Sequence, residues 1–310
     1  MSAQIVQLEP GWGIVAAAAL FALALAGAGA DAALESRAQG RRGGFGAPVA
    51  EAARLLRQRR RTLVAADSLL WRIGVAGLPV VAALMVAVLP VGHWVVADLP
   101  VGLVWFNAMD VTVWALVWMA GWGPNALHPL VGGYRFLALA LGYELPLMFA
   151  LTGPAVAAGS LRMADIVAAQ EPLWFVATMP VGFVVFCASV LAFSLFRPFD
   201  AAVAADLGGG VLSEASGVDR LLLLAGRYAL LAAGAGFAVV LFLGGGAGPL
   251  LPDWLWFLLK TAVLLVGLLA LRRRAASVRP DRLLPVAWTV GLPAVLLQIL
   301  VVAVLAGAKG

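Results

Sequence analysis

Four ionisable residues lie inside long apolar runs of the sequence: Asp110, Glu144, Arg227 and Lys260. A charge in a bilayer interior is costly, so such residues mark proton or ion pathways or paired structure. A buried carboxylic acid can bind and release a proton, whereas an arginine stays charged. The two acids are therefore candidate proton carriers. Arg227 is predicted to pair with one of them, or each group meets water separately.

The depth of the two acids follows from helix geometry. At about 1.5 Å per residue, Glu144 lies roughly 16 Å in from the start of its apolar run. Asp110 lies at a similar depth in its own run. Both acids are thus expected near the middle of the membrane.

The elements that hold these residues are apolar segments of membrane length. The chain is 63% hydrophobic and 12% charged, against about 25% charged residues in soluble domains. Runs of about 20 apolar residues predict spanning helices, and runs without alternation exclude barrel strands. We expect an all-α polytopic membrane protein, one membrane domain over residues 1–310. Its eight predicted spans are residues 12–30, 73–92, 101–121, 133–157, 173–195, 221–243, 254–271 and 284–306.

Two polar stretches interrupt the apolar pattern. Residues 34–72 carry nine arginines and form a predicted basic loop. Within it, apolar residues at helical spacing fit an amphipathic helix at the membrane interface, and a solvated charged loop fits equally well. Residues 197–220 form the longest polar interruption of the second half and are the predicted docking loop for soluble partners.

Orientation follows from the distribution of basic residues. Most of the 21 Lys and Arg residues fall in loops on one side of the eight predicted spans. The positive-inside rule places that side in the cytoplasm, so both termini are expected outside. The protein itself is expected in the inner (plasma) membrane. The first apolar run follows Glu9 rather than a basic segment, which favours a retained helix over a cleaved signal.

Several classes of site are not expected. One cysteine, Cys187, cannot hold an iron-sulfur cluster, and His93 and His128 stand too far apart to favour a metal pair. No Gly-rich dinucleotide motif or P-loop is present, so neither NAD nor flavin is expected on this chain. The basic residues act as topology signals and do not argue for nucleic acid. No metal site is predicted.

Five sequence blocks carry a family resemblance. They are AGWGPNALHPLVGGYRFLALALGYELPLMFAL at 120–151, RPFD at 197–200, LSEASG at 212–217, WFLLK at 256–260 and RPDRL at 279–283. Together, in this order, they resemble the H subunit of respiratory complex I, a membrane component of the NADH:quinone oxidoreductase. Membrane anchors of formate hydrogenlyase and membrane-bound hydrogenases share the PFD and SE-SG blocks and are the alternative family.

The resemblance implies a junction subunit between other membrane subunits and a hydrophilic redox arm. The first helix and the amphipathic segment would wall a quinone tunnel, and acidic residues would carry protons coupled to quinone reduction. The tunnel-mouth candidates that it implies are Glu35, Arg37, Arg41, Glu51 and Arg54, and the first three are equally well interpreted as ordinary interfacial charges. Other positions implied to serve docking or structure are Arg135, Arg197, Asp200, Glu214, Arg227, Lys260, Arg279 and Asp281.

Departures from the family pattern remove most of the acidic residues that the resemblance would place on the proton path. After PFD the chain reads AAVAADL, which keeps only Asp206 as a proton-path candidate. The acid that the family has before a tyrosine of the sixth span is Arg227 here. Asp110 has no clear family counterpart and is a substitute acid in this interpretation. These changes leave open a structural anchor without proton chemistry, and a free-standing transporter is a third class of function.

Overall fold

The computed structural model of this chain describes residues 5–204 and 209–307. The regular structure of the described residues is helical apart from one two-stranded parallel ladder, Val6–Gln7 (β1) against Trp94–Val95 (β2). The helices are Trp12–Ala38 (α1), Ala47–Arg57 (α2), Ser68–Val86 (α3), Gly102–Trp122 (α4), Leu127–Ala158 (α5), Met163–Ala168 (α6), Phe175–Thr178 (α7), Pro180–Phe193 (α8), Gly217–Phe242 (α9), Asp253–Arg274 (α10), Pro280–Val286 (α11) and Leu292–Gly307 (α12).

Seven helical segments in the described part of the chain are long and apolar enough to cross a membrane. They are α1, α3, α4, α5, α9, α10 and the stretch that runs from α11 through a π-helical turn, Ala287–Gly291, into α12. The prediction of an all-α polytopic membrane protein is therefore confirmed. The predicted span over residues 173–195 is divided into α7 and α8, and α8 has 14 residues, fewer than the roughly 20 that a crossing requires.

Helix α9 is the centre of the bundle. It packs against α1, α3, α8 and α10, and every residue from Ala229 to Phe242 is buried. Phenylalanine rings fill the space between α4, α8 and α9, with the Phe106 and Phe237 ring centroids 4.1 Å apart. Large apolar side chains around one enclosed helix give this protein a core even though the bilayer surrounds it.

Two glycines allow the neighbouring helices to approach closely. A Cβ on Gly74 would lie 2.4 Å from the backbone nitrogen of Ala120, so α3 and α4 meet backbone to backbone. A Cβ on Gly121 would lie 2.6 Å from the Pro129 carbonyl oxygen, which brings α4 against α5. Small residues at such crossings are the usual means of packing helices in membranes.

The first helix is longer than the apolar pattern indicates. It continues past the predicted end at residue 30 to Ala38, so Asp31, Glu35 and Arg37 belong to the helix and not to the loop that follows. Helix α2 occupies residues 47–57 of the basic stretch and packs on α1 and α9 through Leu55, which has no exposed surface. One face of α2 is thus anchored, while its arginines are exposed.

The loops divide into two faces. We call the basic face the set of loops at residues 39–67, 123–126, 194–204 with 209–216, and 275–279. Contacts join them: the Asp67 nitrogen donates to the Gly123 carbonyl, and the Val278 nitrogen donates to the Pro198 carbonyl. The opposite face contains β1, β2 and residues 159–179 and 243–252. There, Arg162 forms an ion pair with Asp98 that raises the pKa of the arginine.

Candidate functional site

A charged cluster lies where α1, α9 and α10 meet near the basic face. Its centre is Asp31, whose side chain is buried and accepts hydrogen bonds from three residues. The Tyr228 hydroxyl donates at 2.7 Å, a guanidinium nitrogen of Arg273 donates at 2.7 Å, and Arg272 donates to the same carboxylate oxygen as Tyr228. A carboxylate with three such donors is well compensated for its removal from water. We call this group, with Glu35, the Asp31 cluster.

Glu35 joins the cluster from one helical turn further along α1. Its carboxylate accepts from Arg273 at 2.5 Å and from the Gln39 side chain at 2.7 Å. The predicted tunnel-mouth residue Glu35 is therefore bound to α10, and the predicted residue Arg41 donates to the Gln39 side chain. Arg37 is exposed at the last turn of α1.

The other two predicted tunnel-mouth residues lie on α2. Arg54 donates to both oxygens of Glu51, at 2.6 and 2.7 Å. The hydrogen bond from Arg54 lowers the pKa of Glu51 and is the largest cause of that shift. The structure thus packs α2 on α1, while the Glu51 and Arg54 side chains pair with each other rather than with Glu35.

Asp31 is the site residue that the sequence pattern missed. Its position just after the apolar run of the first span resembles the start of a loop. The signal that could have found it is its spacing of four residues from Glu35, which places both acids on one face of a continued helix.

A second cluster holds the two acids predicted in the membrane interior. Asp110 on α4 has no exposed surface, Glu144 on α5 is 7% exposed, and their carboxyl groups lie close enough to interact. Tyr143 and Asn107 complete the group, which we call the acid pair cluster. The side-chain oxygens of all four residues are buried, and in the described part of the chain none makes a well-formed hydrogen bond, although Tyr143 lies within reach of Asp110 and Asn107 within reach of Glu144.

The acid pair cluster is unusual because buried polar groups in proteins are nearly always hydrogen-bonded. Two facing carboxyl groups with poorly formed hydrogen bonds cost free energy, and such groups are retained at sites that exchange protons or ions. The sequence predicted each acid separately, and the packing of α4 on α5 brings them together. The arrangement can hold a proton shared between two carboxyl groups.

The predicted ion pair between Arg227 and one of these acids is wrong. Arg227 forms no ion pair in the described part of the chain; its guanidinium donates to the Leu195 carbonyl and lies 4.6 Å from the centroid of the Phe196 ring. Arg272 lies 4.7 Å from the same ring. Helix α9 presents Arg227 toward the segment after α8 and toward α10, so this residue borders the Asp31 cluster instead.

Lys260 has a structural position. Its ammonium donates to the carbonyls of Leu243, Gly245 and Ala247 at 2.7, 3.1 and 2.7 Å. It also lies 4.0 Å from the centroid of the Trp174 ring. A cation at the end of α9 satisfies the free carbonyls there and interacts favourably with the helix dipole.

The predicted docking loop is tied to the rest of the basic face. Glu214 pairs with Arg61 at 2.6 Å, and Arg60 lies 3.3 Å from Asp219 at the start of α9. The Ser216 hydroxyl accepts from the Arg61 backbone nitrogen at 2.7 Å. The first basic stretch and the docking loop thus form one surface.

The remaining predicted positions lie at the other end of this surface. Arg197 pairs with Asp200 at 3.0 Å, and Ser277 donates to the other oxygen of Asp200 at 2.6 Å. Arg135 donates to the Gly209 carbonyl at 2.8 Å. Arg279 and Asp281 form an exposed ion pair at 3.2 Å. Asp206 lies outside the described residues.

Comparison with known proteins agrees with this architecture. The chain matches the family model described as NADH dehydrogenase over residues 12–303. It is 37% identical over 265 residues to the NADH-quinone oxidoreductase H subunit 2 of Geobacter sulfurreducens, a region that covers 82% of this chain and 80% of that protein. It is 39% identical over 266 residues to a protein of the same name from Cereibacter sphaeroides, with 84% and 83% covered. The chain therefore belongs to the family of NADH-quinone oxidoreductase H subunits, which are membrane subunits of complex I, as a divergent member.

Proposed function

We propose that this protein is the junction subunit of a complex I-like NADH:quinone oxidoreductase, and that it contributes both to the quinone site and to the coupling of quinone reduction to proton translocation. The observation that carries the proposal is the acid pair cluster. Two facing buried carboxyl groups whose hydrogen bonds are poorly formed are costly to a fold, and proton transfer is a function that would retain them. Quinone is the substrate shared with neighbouring subunits.

The quinone part of the proposal rests on α1 and α2. The last turns of α1 carry Glu35 and Arg37, Arg41 follows three residues after this helix, and α2 carries Glu51 with Arg54. Charged and polar groups beside an apolar helix pair suit a mouth that admits a polar headgroup attached to an apolar tail. The residues that would contact the headgroup are to be sought among these five.

The basic face would receive the hydrophilic subunits. The described residues of the docking loop, 197–204 and 209–220, and the arginines of residues 54–61 form a surface of matched charges there, and exposed arginines are well suited to bind acidic groups of a partner. NAD, flavin and iron-sulfur clusters would belong to those partners. The basic face would then lie in the cytoplasm, with α7 and α8 together forming the eighth crossing and both termini outside the plasma membrane.

The experiment that tests the coupling role replaces Glu144 by Gln in the assembled complex. NADH:quinone turnover and proton uptake would be measured in inverted membrane vesicles, with NADH:ferricyanide activity as the control for the hydrophilic arm. We expect turnover and proton uptake to fall while ferricyanide reduction is retained. Unchanged turnover and uptake would exclude a role for Glu144.

A structural anchor is the second candidate function. It is favoured by Arg227, which stands where relatives of this family are expected to have an acid and which takes part in fixed contacts to Leu195 and Phe196. An anchor would need the basic face but not the acid pair cluster. The same experiment separates the two functions, because an anchor tolerates Glu144→Gln without loss of turnover.

A further inference from the structure

An apolar cavity of about 460 Å³ lies at the end of α1 away from the basic face. Helices α1, α3, α9 and α10 form its walls, and Leu8, which follows β1, and Trp94 of β2 close it. Small residues face it from two sides, Ala16 and Ala19 on α1 and Gly236 on α9. The cavity exists because these side chains are too short to fill the space between the helices.

Water cannot fill this cavity stably. Its lining side chains are apolar apart from the indole nitrogens of Trp12 and Trp94 and the hydroxyl of Thr261, which already donates to the Phe257 carbonyl at 2.7 Å. A buried water needs two to four polar partners, and apolar cavities of this kind stay dry. An empty cavity, in turn, costs free energy in proportion to its volume. An apolar occupant is therefore favoured.

The cavity is continuous with the surface that the bilayer covers. Trp12 and Val15 line it and are 51% and 53% exposed. Both lie on α1, a helix that is long and apolar enough to cross the membrane. Hydrocarbon from the bilayer can thus reach the cavity beside α1.

We propose that this cavity holds an acyl chain of a membrane phospholipid. The chain enters beside Trp12 and Val15 and packs on the buried residues Leu20, Leu89 and Phe257. The site is separate from the proposed quinone mouth, because Asp31 lies 19 residues further along α1 than Trp12, about 28 Å at 1.5 Å per residue. The lining lacks the polar groups that would hold a quinone headgroup, so a lipid chain fits better than a quinone.

The test uses the complete complex in vesicles that contain phosphatidylethanolamine with a diazirine midway along one acyl chain. After illumination, mass spectrometry locates the labelled residues. We expect labelling of the buried residues Leu20 and Phe257 in addition to the outward-facing Ile14, which is 78% exposed. Labelling confined to outward-facing residues such as Ile14 overturns the proposal.

Matched variants on α1 test the cavity itself. Ala16→Phe places a ring in the cavity and is expected to lower labelling of Leu20 and Phe257 at least fivefold. Ala18→Phe adds the same ring on the exposed side of the helix and is expected to leave that labelling unchanged. If Ala16→Phe prevents assembly, Ala19→Leu takes its place as a smaller substitution that fills the cavity. It is also expected to lower the labelling of Leu20 and Phe257. Equal labelling in all variants overturns the proposal.

A competition experiment identifies the class of occupant. Excess unlabelled phosphatidylethanolamine is expected to reduce labelling of Leu20. A quinone with a long isoprenoid tail, added at the same concentration as the unlabelled phospholipid, is expected to leave that labelling unchanged. Displacement by the quinone at equimolar concentration would assign the cavity to an isoprenoid tail and overturn the phospholipid assignment. This result would leave the proposed function of the acid pair cluster unaffected, since that function is tested by turnover of Glu144→Gln.

Discussion

The Tyr228 hydroxyl donates a 2.7 Å hydrogen bond to Asp31, across 197 positions of the sequence. Tyr228 lies on α9 and Asp31 on α1, and Arg272 and Arg273 of α10 bind the same carboxylate. Three helices are thus joined at one buried anion. Arg227 and Arg272 both contact the Phe196 ring, so two cations lie together in the interior near the basic face. The negative charge of Asp31 helps to offset them.

Removal of the Asp31 carboxylate is expected to destabilise the protein strongly. In Asp31→Ala the largely buried Arg272 loses its counter-ion and Arg273 keeps only the exposed Glu35, and breaking a buried charge pair costs about 3–5 kcal/mol. We expect a lower thermal midpoint for the purified complex, measured by the release of this subunit on heating. Glu35→Ala is the control, since Glu35 is exposed and its pair with Arg273 is worth about 1 kcal/mol or less. Equal effects of the two substitutions would contradict the central role of Asp31.

The acid pair cluster is expected to behave in the opposite way. Asp110→Asn removes one of two facing carboxyl groups that make no well-formed hydrogen bond among the described residues. We therefore expect unchanged or higher thermal stability together with lower quinone turnover, the pattern of a site that gives up stability for function. Thr112→Val on the same helix is the control, because its hydroxyl donates only to the Ala108 carbonyl in the described contacts. Loss of stability in Asp110→Asn would indicate a structural role.

The two acids should also be energetically linked. Contacting residues show interaction energies of about 0.5–3 kcal/mol in double-mutant cycles. The effects of Asp110→Asn and Glu144→Gln on turnover are therefore expected to be less than additive in the double variant. Strictly additive effects would show that the two groups act independently.

The sequence predicted the class of fold, and it failed where contacts between helices decide. Hydropathy runs identify the spans because the bilayer demands them. The end of α1 was predicted too early because acidic residues such as Asp31 and Glu35 after an apolar run are typical of a loop. The arginines of α10 that compensate their charge are distant in the sequence. The pairing of Asp110 with Glu144 depends on the register of α4 against α5, which hydropathy does not encode. For the same reason Arg227 was assigned to the wrong partner.

The docking loop is expected to depend on Gly217. Gly217 has a φ of +55°, and a Cβ there would lie 2.6 Å from the Gln58 carbonyl oxygen. Gly217→Ala should therefore shift the loop away from residues 58–61 and reduce the amount of hydrophilic subunits that purify with the membrane arm. Gly267→Ala is the matched control: a Cβ on this exposed residue of α10 meets nothing within 4 Å. We expect Gly267→Ala to stabilise its helix by up to about 1 kcal/mol.

Lys260 is expected to stabilise the turn after α9 rather than to carry protons. Its ammonium donates to three backbone carbonyls, and hydrogen bonds to charged groups contribute about 1.5–3 kcal/mol each. Lys260→Met should lower the thermal midpoint of the complex, with the ratio of proton uptake to quinone turnover unchanged. Arg274→Met, which removes an exposed charge from the same helix, should change neither quantity. A lower uptake ratio in Lys260→Met at unchanged stability would contradict a purely structural role, because the ratio would then depend on the Lys260 charge and not on the fold.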